Sequence, residues 1–140
     1  MEFRKLILED PLDCLLVDGA LATDLERRGC DLNSNLWSAD VLIKNPKLIH
    51  DVHLEYFLAG ADIAITSSYQ AALPSLKSAG LSPSEAAEIL HTSVRLAKQA
   101  RVDAIALQPG RKLFVAGSLA AAMGPALEYR IALPPPYSPC

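Results

Sequence analysis

Cysteine is scarce in this chain: three among 140 residues, Cys14, Cys30 and Cys140, with no C-x-x-C and no adjacent pair. An odd, widely spaced set makes a poor disulfide framework. Cys14 is expected to be a small buried hydrophobe in a strand. An excess of positive charge is also lacking. The net charge is −3, so no basic field attracts nucleic acid or anionic lipid. No apolar run approaches the roughly 20 residues that span a bilayer, and no membrane partner is expected. The start, Met1-Glu2-Phe3-Arg4-Lys5, lacks a long apolar stretch and a small-residue cleavage site. It reads as no secretory signal, and a cytoplasmic location is the expectation. The phosphate-binding, dinucleotide, zinc-protease and serine-hydrolase signatures are missing too. What remains is a chain that is 51% hydrophobic, enough for a sizeable core in one ordinary domain.

Three short apolar runs alternate with helical patterns. Residues 14–18 read as a buried strand, followed by a helical turn over about 20–28 that Gly29 closes. Asn45-Pro46 starts a helix, with Asn as N-cap and Pro at the first helical position. Leu48, Ile49, Val52, Tyr56 and Phe57 recur along one of its faces, and Gly60 ends it. Ala61 to Thr66 is a second strand, and residues 71–79 a short helix. Ser82-Pro83-Ser84-Glu85 is a capping box opening a helix to about Ala106, with Ile89, Leu90, Val94 and Ala97 as its inner stripe. Leu113 to Ala116 is the third strand. This β-α-β-α-β order predicts an α/β fold with parallel strands. No boundary is visible before residue 118. Residues 119–140 change character and end in Pro134-Pro135-Pro136-Tyr137-Ser138-Pro139, which reads as an irregular tail.

The strand ends bring Asp18-Gly19, Thr66-Ser67-Ser68-Tyr69 and Gly117-Ser118 together. A carboxylate can accept from an ammonium group, and glycine lets backbone approach a ligand closely. Hydroxyls and backbone amides can face a carboxylate. The set suits an amino-acid zwitterion, yet Asp18 equally fits as a cap for the helical turn after it. Both readings are open at this level. Trp37 could wall a pocket or simply cover one end of the fold. His50 and His53 have a spacing that can bind metal only with further ligands nearby. Their helix lies outside the sheet, so a surface or partly packed role is expected for both. Glu55, Glu85 and Glu88 read as solvated helix faces.

Several motifs agree in order and spacing with one family: Asp18-Gly19-Ala20 with Thr23 and Leu25, Arg28-Gly29-Cys30, Leu36-Trp37-Ser38, Asn45-Pro46, His53 with Tyr56-Phe57, Ala59-Gly60-Ala61-Asp62, and Ile65-Thr66-Ser67-Ser68-Tyr69-Gln70-Ala71. Over roughly residues 14–118 the chain resembles the amino-terminal part of homocysteine S-methyltransferases, most closely the branch using S-methylmethionine or S-adenosylmethionine. The resemblance implies a (β/α)8 barrel with its site at the carboxyl ends of the strands. Homocysteine is the implied substrate and methionine the implied product. Asp18 would hold the homocysteine amino group, Gly19 and Thr66 would meet its carboxylate through backbone amides, and Ser68 and Tyr69 would lie nearby.

The family activates homocysteine on a zinc ion held by three cysteines. A free thiol has a pKa of about 8.5, so a metal is needed to hold the thiolate at neutral pH. Cys14, Cys30 and Cys140 do not match the family's ligand positions, one of which follows a Gly-Gly turn while two are adjacent. An intact barrel takes about 250 residues, and the likeness fades after Ser118. The expectation is therefore a partial barrel of about three βα units, truncated, with part of the substrate site, no zinc centre and no activity alone. Open strand edges would favour self-association. A non-catalytic module pairing with a full-length relative through those edges is the alternative.

Overall fold

The computed structural model describes residues 14–31, 38–68 and 73–118. Trp37, Tyr69, the lead-in over 1–12 and the tail over 119–140 lie outside the described residues. The elements are α1 (Leu21–Arg27), α2 (Ser38–Lys44), α3 (Pro46–Leu58), β1 (Ile63–Ile65), α4 (Leu73–Ser78), α5 (Pro83–Leu107) and β2 (Phe114–Ala116). β1 and β2 are parallel, with Ile63 opposite Phe114 and Ile65 opposite Ala116. The crossover between them contains α4 and α5, as a parallel pair requires.

The segment expected as a first buried strand is reduced to a single parallel bridge from Val17 to Ile63. Its hydrogen bonds are nevertheless strand-like: the Ile63 amide donates to Leu16 O at 3.0 Å, and the Asp18 amide to Ile63 O at 2.8 Å. β1 is thus flanked on both sides. Burial is where expectation fails. Leu16 is 59% and Val17 50% exposed, and Cys14 is exposed rather than buried. Among the described residues only β1 pairs with this segment.

The buried residues form two clusters, one against the sheet and one among the helices. Phe57, Ala64, Ala100, Ala104 and Leu113 form one cluster. Leu25, Val41, Leu42, Ile49, Val52, Leu76, Ala86 and Ile89 form a second. Ala64 is fully buried against the helices, whereas Ile65, pointing the other way, is 40% exposed. The inner stripe of α5 differs from the sequence reading. Ile89 and Ala97 are buried as expected, but Leu90 and Val94 are only partly so. Ala86, Ser93, Ala100 and Ala104 take the interior instead. Small residues let α5 lie close to α3 and the sheet, which larger side chains would hold apart.

Helix ends follow the sequence signals with one exception. Gly29 at φ +86° and Gly60 at φ +120° sit in the left-handed region that ends α1 and α3. Asn45 occupies the N-cap of α3 but its side chain makes no capping bond. Pro46 is the part of that signal that acts. At α5 the Ser82 hydroxyl accepts from the Glu85 amide at 3.3 Å, and the Glu85 carboxylate accepts from the Ser82 amide at 2.8 Å. The Ser82 hydroxyl, then its amide, holds the Glu85 carboxyl below its usual range. A depressed carboxyl contributes stability above its unfolded pKa and loses it as pH falls through the folded value. Ser82→Ala is therefore expected to lower the melting temperature by a few degrees near neutral pH. That difference should shrink below about pH 4, which a pH series of thermal melts would read.

The entry side of the strands is fastened by Arg111. Its guanidinium donates to Ala61 O at 2.8 Å, Asp62 Oδ1 at 3.2 Å, Gln108 Oε1 at 3.0 Å, and Phe57 O. Asp62 Oδ2 in turn accepts from the Leu16 amide at 3.0 Å. One arginine and one aspartate thus tie the Val17 segment, the end of α3 and the start of β1 together, leaving the opposite ends of the strands for a site.

Candidate functional site

Asp18 stands at the carboxyl end of the Val17 segment. Its Oδ2 accepts from the Ile65 amide at 3.1 Å. The N-cap of α1 is Ala20, with no side-chain capping bond. Asp18 is therefore not a helix cap: it reaches across to β1, and its side chain is only 5% exposed. Asp18, Gly19, Ala20, Leu21, Ala22, Ile65 and Thr66 line a cavity of about 250 Å³.

Gly19 is dictated by its neighbour on α3. A Cβ at this position would lie 2.9 Å from Tyr56 Oη and 3.0 Å from Tyr56 Cε1. The Tyr56 ring is partly buried and can swing only at some cost. Gly19→Ala is expected to lose about 1 kcal/mol of stability. Tyr56→Phe, which removes the nearest atom, should return part of that loss in a denaturant titration of the double variant.

Thr66, Ser68 and Ser118 form a closed ring. The Ser118 amide donates to Thr66 Oγ1 at 2.8 Å, and Ser68 Oγ donates to Ser118 O at 2.7 Å. Thr66 Oγ1 and Ser68 Oγ are 2.8 Å apart. With Ser68 donating to the carbonyl, Thr66 must donate to Ser68, so every hydroxyl proton is used. This ring locks the ends of β1 and β2 together. It also corrects part of the sequence reading. The Thr66 amide donates to Ala116 O at 2.9 Å, so the sheet already occupies the donor implied for a ligand carboxylate. Thr66 and Ser68 are 1% and 7% exposed and act here as a rigid wall. Of the residues expected at the site, Asp18, Gly19, Thr66 and Ser68 do come together; Tyr69 lies outside the described residues.

The residue that sequence reasoning misplaced is His53. It is fully buried, and its Nδ1 lies 3.5 Å from Asp18 Oδ2. Among the described residues neither ring nitrogen has a hydrogen-bond partner, and Ser67 Oγ is buried in the same condition. The available signal was its phase: His53 falls one residue after Val52 and four before Phe57, on the buried stripe of α3. His50, by contrast, behaves as expected. It is partly buried and joins α3 to α5, with Nε2 2.8 Å from Asp103 Oδ2 and Nδ1 3.1 Å from Asp51 Oδ1. Among the described residues no group of three or more His, Cys, Asp or Glu side chains could hold a metal ion. The helix-face acids are exposed but engaged: Glu55 pairs with Arg28 at 2.6 Å and Glu88 with Arg95 at 3.7 Å.

Parallel strands that carry a nearly buried carboxylate and a glycine to a cavity at their carboxyl ends define an α/β protein with a strand-end site. The homocysteine S-methyltransferase family model matches residues 15–131, and the chain belongs to that family. It is 49% identical over 113 residues to the homocysteine S-methyltransferase of Escherichia coli (strain K12), covering 80% of this chain and 36% of that protein. Identity to homocysteine S-methyltransferase YbgG of Bacillus subtilis (strain 168) is 44% over 116 residues, 83% of this chain and 37% of the relative. The metallated crystal structure of the Escherichia coli homocysteine methyltransferase MmuM superposes with a TM-score of 0.79 at 45% identity, over 86% of this chain and 41% of that one. The chain thus spans little more than a third of the length of these curated relatives.

Proposed function

We propose that this chain carries the homocysteine-docking part of a homocysteine S-methyltransferase, built on the first βα units of a (β/α)8 barrel. Asp18 accepts the substrate ammonium, and the Gly19 amide faces the substrate carboxylate. Thr66 and Ser68 supply a fixed wall, with Tyr69 near them by family likeness. One observation carries this reading: the Asp18 side chain is 5% exposed, held by the Ile65 amide, and borders the cavity. A carboxylate so placed is costly to bury unless a cation or donor meets it. A cavity of about 250 Å³ suits a small amino acid better than the drug-sized ligands that fill about 300–1,000 Å³.

The family's zinc does not fit the described residues. Among them no three-ligand group exists, and Cys14 and Cys30 stand apart from Asp18's cavity. The chain alone is proposed to hold homocysteine without transferring a methyl group from S-methylmethionine or S-adenosylmethionine. Isothermal titration with L-homocysteine should show binding. The same protein with zinc and S-methylmethionine should form no methionine. Absence of binding would sink the docking assignment, and methionine formation would sink the proposed inactivity.

The exposed Leu16, Val17 and Ile65 favour a second reading, in which the open sheet pairs with a full-length relative in the cytoplasm. Co-expression should then yield a defined heteromer. A clean monomer beside the relative would count against it.

A further inference from the structure

We propose that His53 is the positioning residue of the Asp18 site: its Nδ1–H holds Asp18 Oδ2 so that Oδ1 faces the cavity and receives a ligand ammonium. The inference rests on reading Asp18 as an ammonium acceptor and adds a residue to that site. His53 is fully buried on α3, and Nδ1 lies 3.5 Å from Asp18 Oδ2. It is not among the residues lining the cavity. It therefore acts through Asp18 and not on the ligand.

The argument begins from cost. A buried imidazole whose two nitrogens find no partner among the described residues is costlier to bury than leucine or methionine of similar size. Its neighbours on the same stripe, Val52 and Phe57, are apolar and fully buried. A polar group at this place needs a partner in some state of the protein, and Asp18 is the acceptor next to it. At 3.5 Å the pair is just beyond a good hydrogen bond. Charge-assisted bonds close to about 2.8 Å, so the carboxylate needs to move only about 0.7 Å. Site hydrogen bonds that are long without ligand commonly tighten once it binds.

The Ile65 amide already donates to the same oxygen. Two donors on Oδ2, one from β1 and one from α3, fix the carboxylate plane. Only a ring that carries Nδ1–H can do this, because a bare Nδ1 would face the carboxylate lone pair to lone pair. The assignment also explains why α3, a helix outside the sheet, supplies two neighbours of the site. Tyr56 crowds Gly19, and His53 backs Asp18.

The test uses the whole chain and two probes, L-homocysteine and its desamino analogue 4-mercaptobutanoate. Asparagine carries its amide nitrogen where histidine carries Nδ1; leucine fills the space without a donor. His53→Asn should keep the preference for homocysteine over the analogue within about threefold, and His53→Leu should reduce it by about tenfold, the value of one charge-assisted bond. A packing role would reverse that order, since leucine fills the cavity better, and would overturn the proposal. Nitrogen NMR of the histidine-labelled, unsubstituted chain needs no variant to fold. It should show a protonated Nδ1 whose resonance moves in Asp18→Asn. An Nε2–H tautomer with and without homocysteine would also overturn the proposal. If the unsubstituted chain binds no homocysteine yet shows the Asp18-sensitive Nδ1–H, the substrate assignment fails and the His53–Asp18 pairing stands.

Discussion

Asp18→Asn should weaken homocysteine binding by about 10- to 100-fold while leaving the fold intact. The substitution removes the charge and keeps the shape. An asparagine oxygen can still accept from the Ile65 amide, which now donates to Asp18 Oδ2 at 3.1 Å. What is lost is a charge-assisted bond between a largely buried carboxylate and an ammonium group, worth about 1.5–3 kcal/mol. Binding of 4-mercaptobutanoate, which has no ammonium, should change by less than about twofold. Calorimetry with the two ligands measures both values. Equal losses for both would show that Asp18 shapes the cavity without recognising the amino group. Unchanged homocysteine binding would remove Asp18 from the site.

Phe57→Ala should cost about 3–5 kcal/mol, a large share of what holds a small domain together. Phe57 is fully buried where α3, β1 and α5 meet, against Ala64, Ala100, Ala104 and Leu113. Three of those neighbours are alanines, whose side chains cannot reach into the space a phenyl ring leaves. The cavity would therefore persist rather than collapse, which places the cost at the upper end of the range. Phe57 O also accepts from Arg111, so a shift of α3 would disturb the tie at the strand entries. Denaturant unfolding should show a sharply lower midpoint, or no folded baseline. A midpoint within about 1 kcal/mol of the parent would mean that the cluster does not support the fold.

The positions of the elements were legible because they are set locally. The Ser82–Glu85 capping box, Pro46 at the start of α3, and glycines at positive φ after α1 and α3 act within a few residues of chain. The strand-end location of Asp18 followed from an apolar run stopping at a carboxylate. Three outcomes were not local. The first strand proved to be a bridge with Leu16 and Val17 exposed, because burial depends on what covers a face and not on the run itself. The α5 stripe keeps Ile89 but is otherwise made of small residues, with Leu90 and Val94 only partly buried, because spacing to α3 decides which side chains fit.

His53 is the sharpest case. Helical phase put it on the buried side of α3, but only the docking of α3 beneath Asp18 brought its Nδ1 to 3.5 Å from that carboxylate. The amino-acid order by itself determined the alternation of elements, their caps and the strand-end carboxylate, since each depends on neighbours in the chain. The tertiary structure decided which groups are spent and which remain. It committed the Thr66 amide to Ala116 and the Thr66 and Ser68 hydroxyls to a closed ring, and freed Asp18 from capping α1. A hydrogen-bonding group can serve one partner well, and that partner is chosen by distances between segments far apart in the chain, as Thr66 and Ser118 are at fifty-two residues.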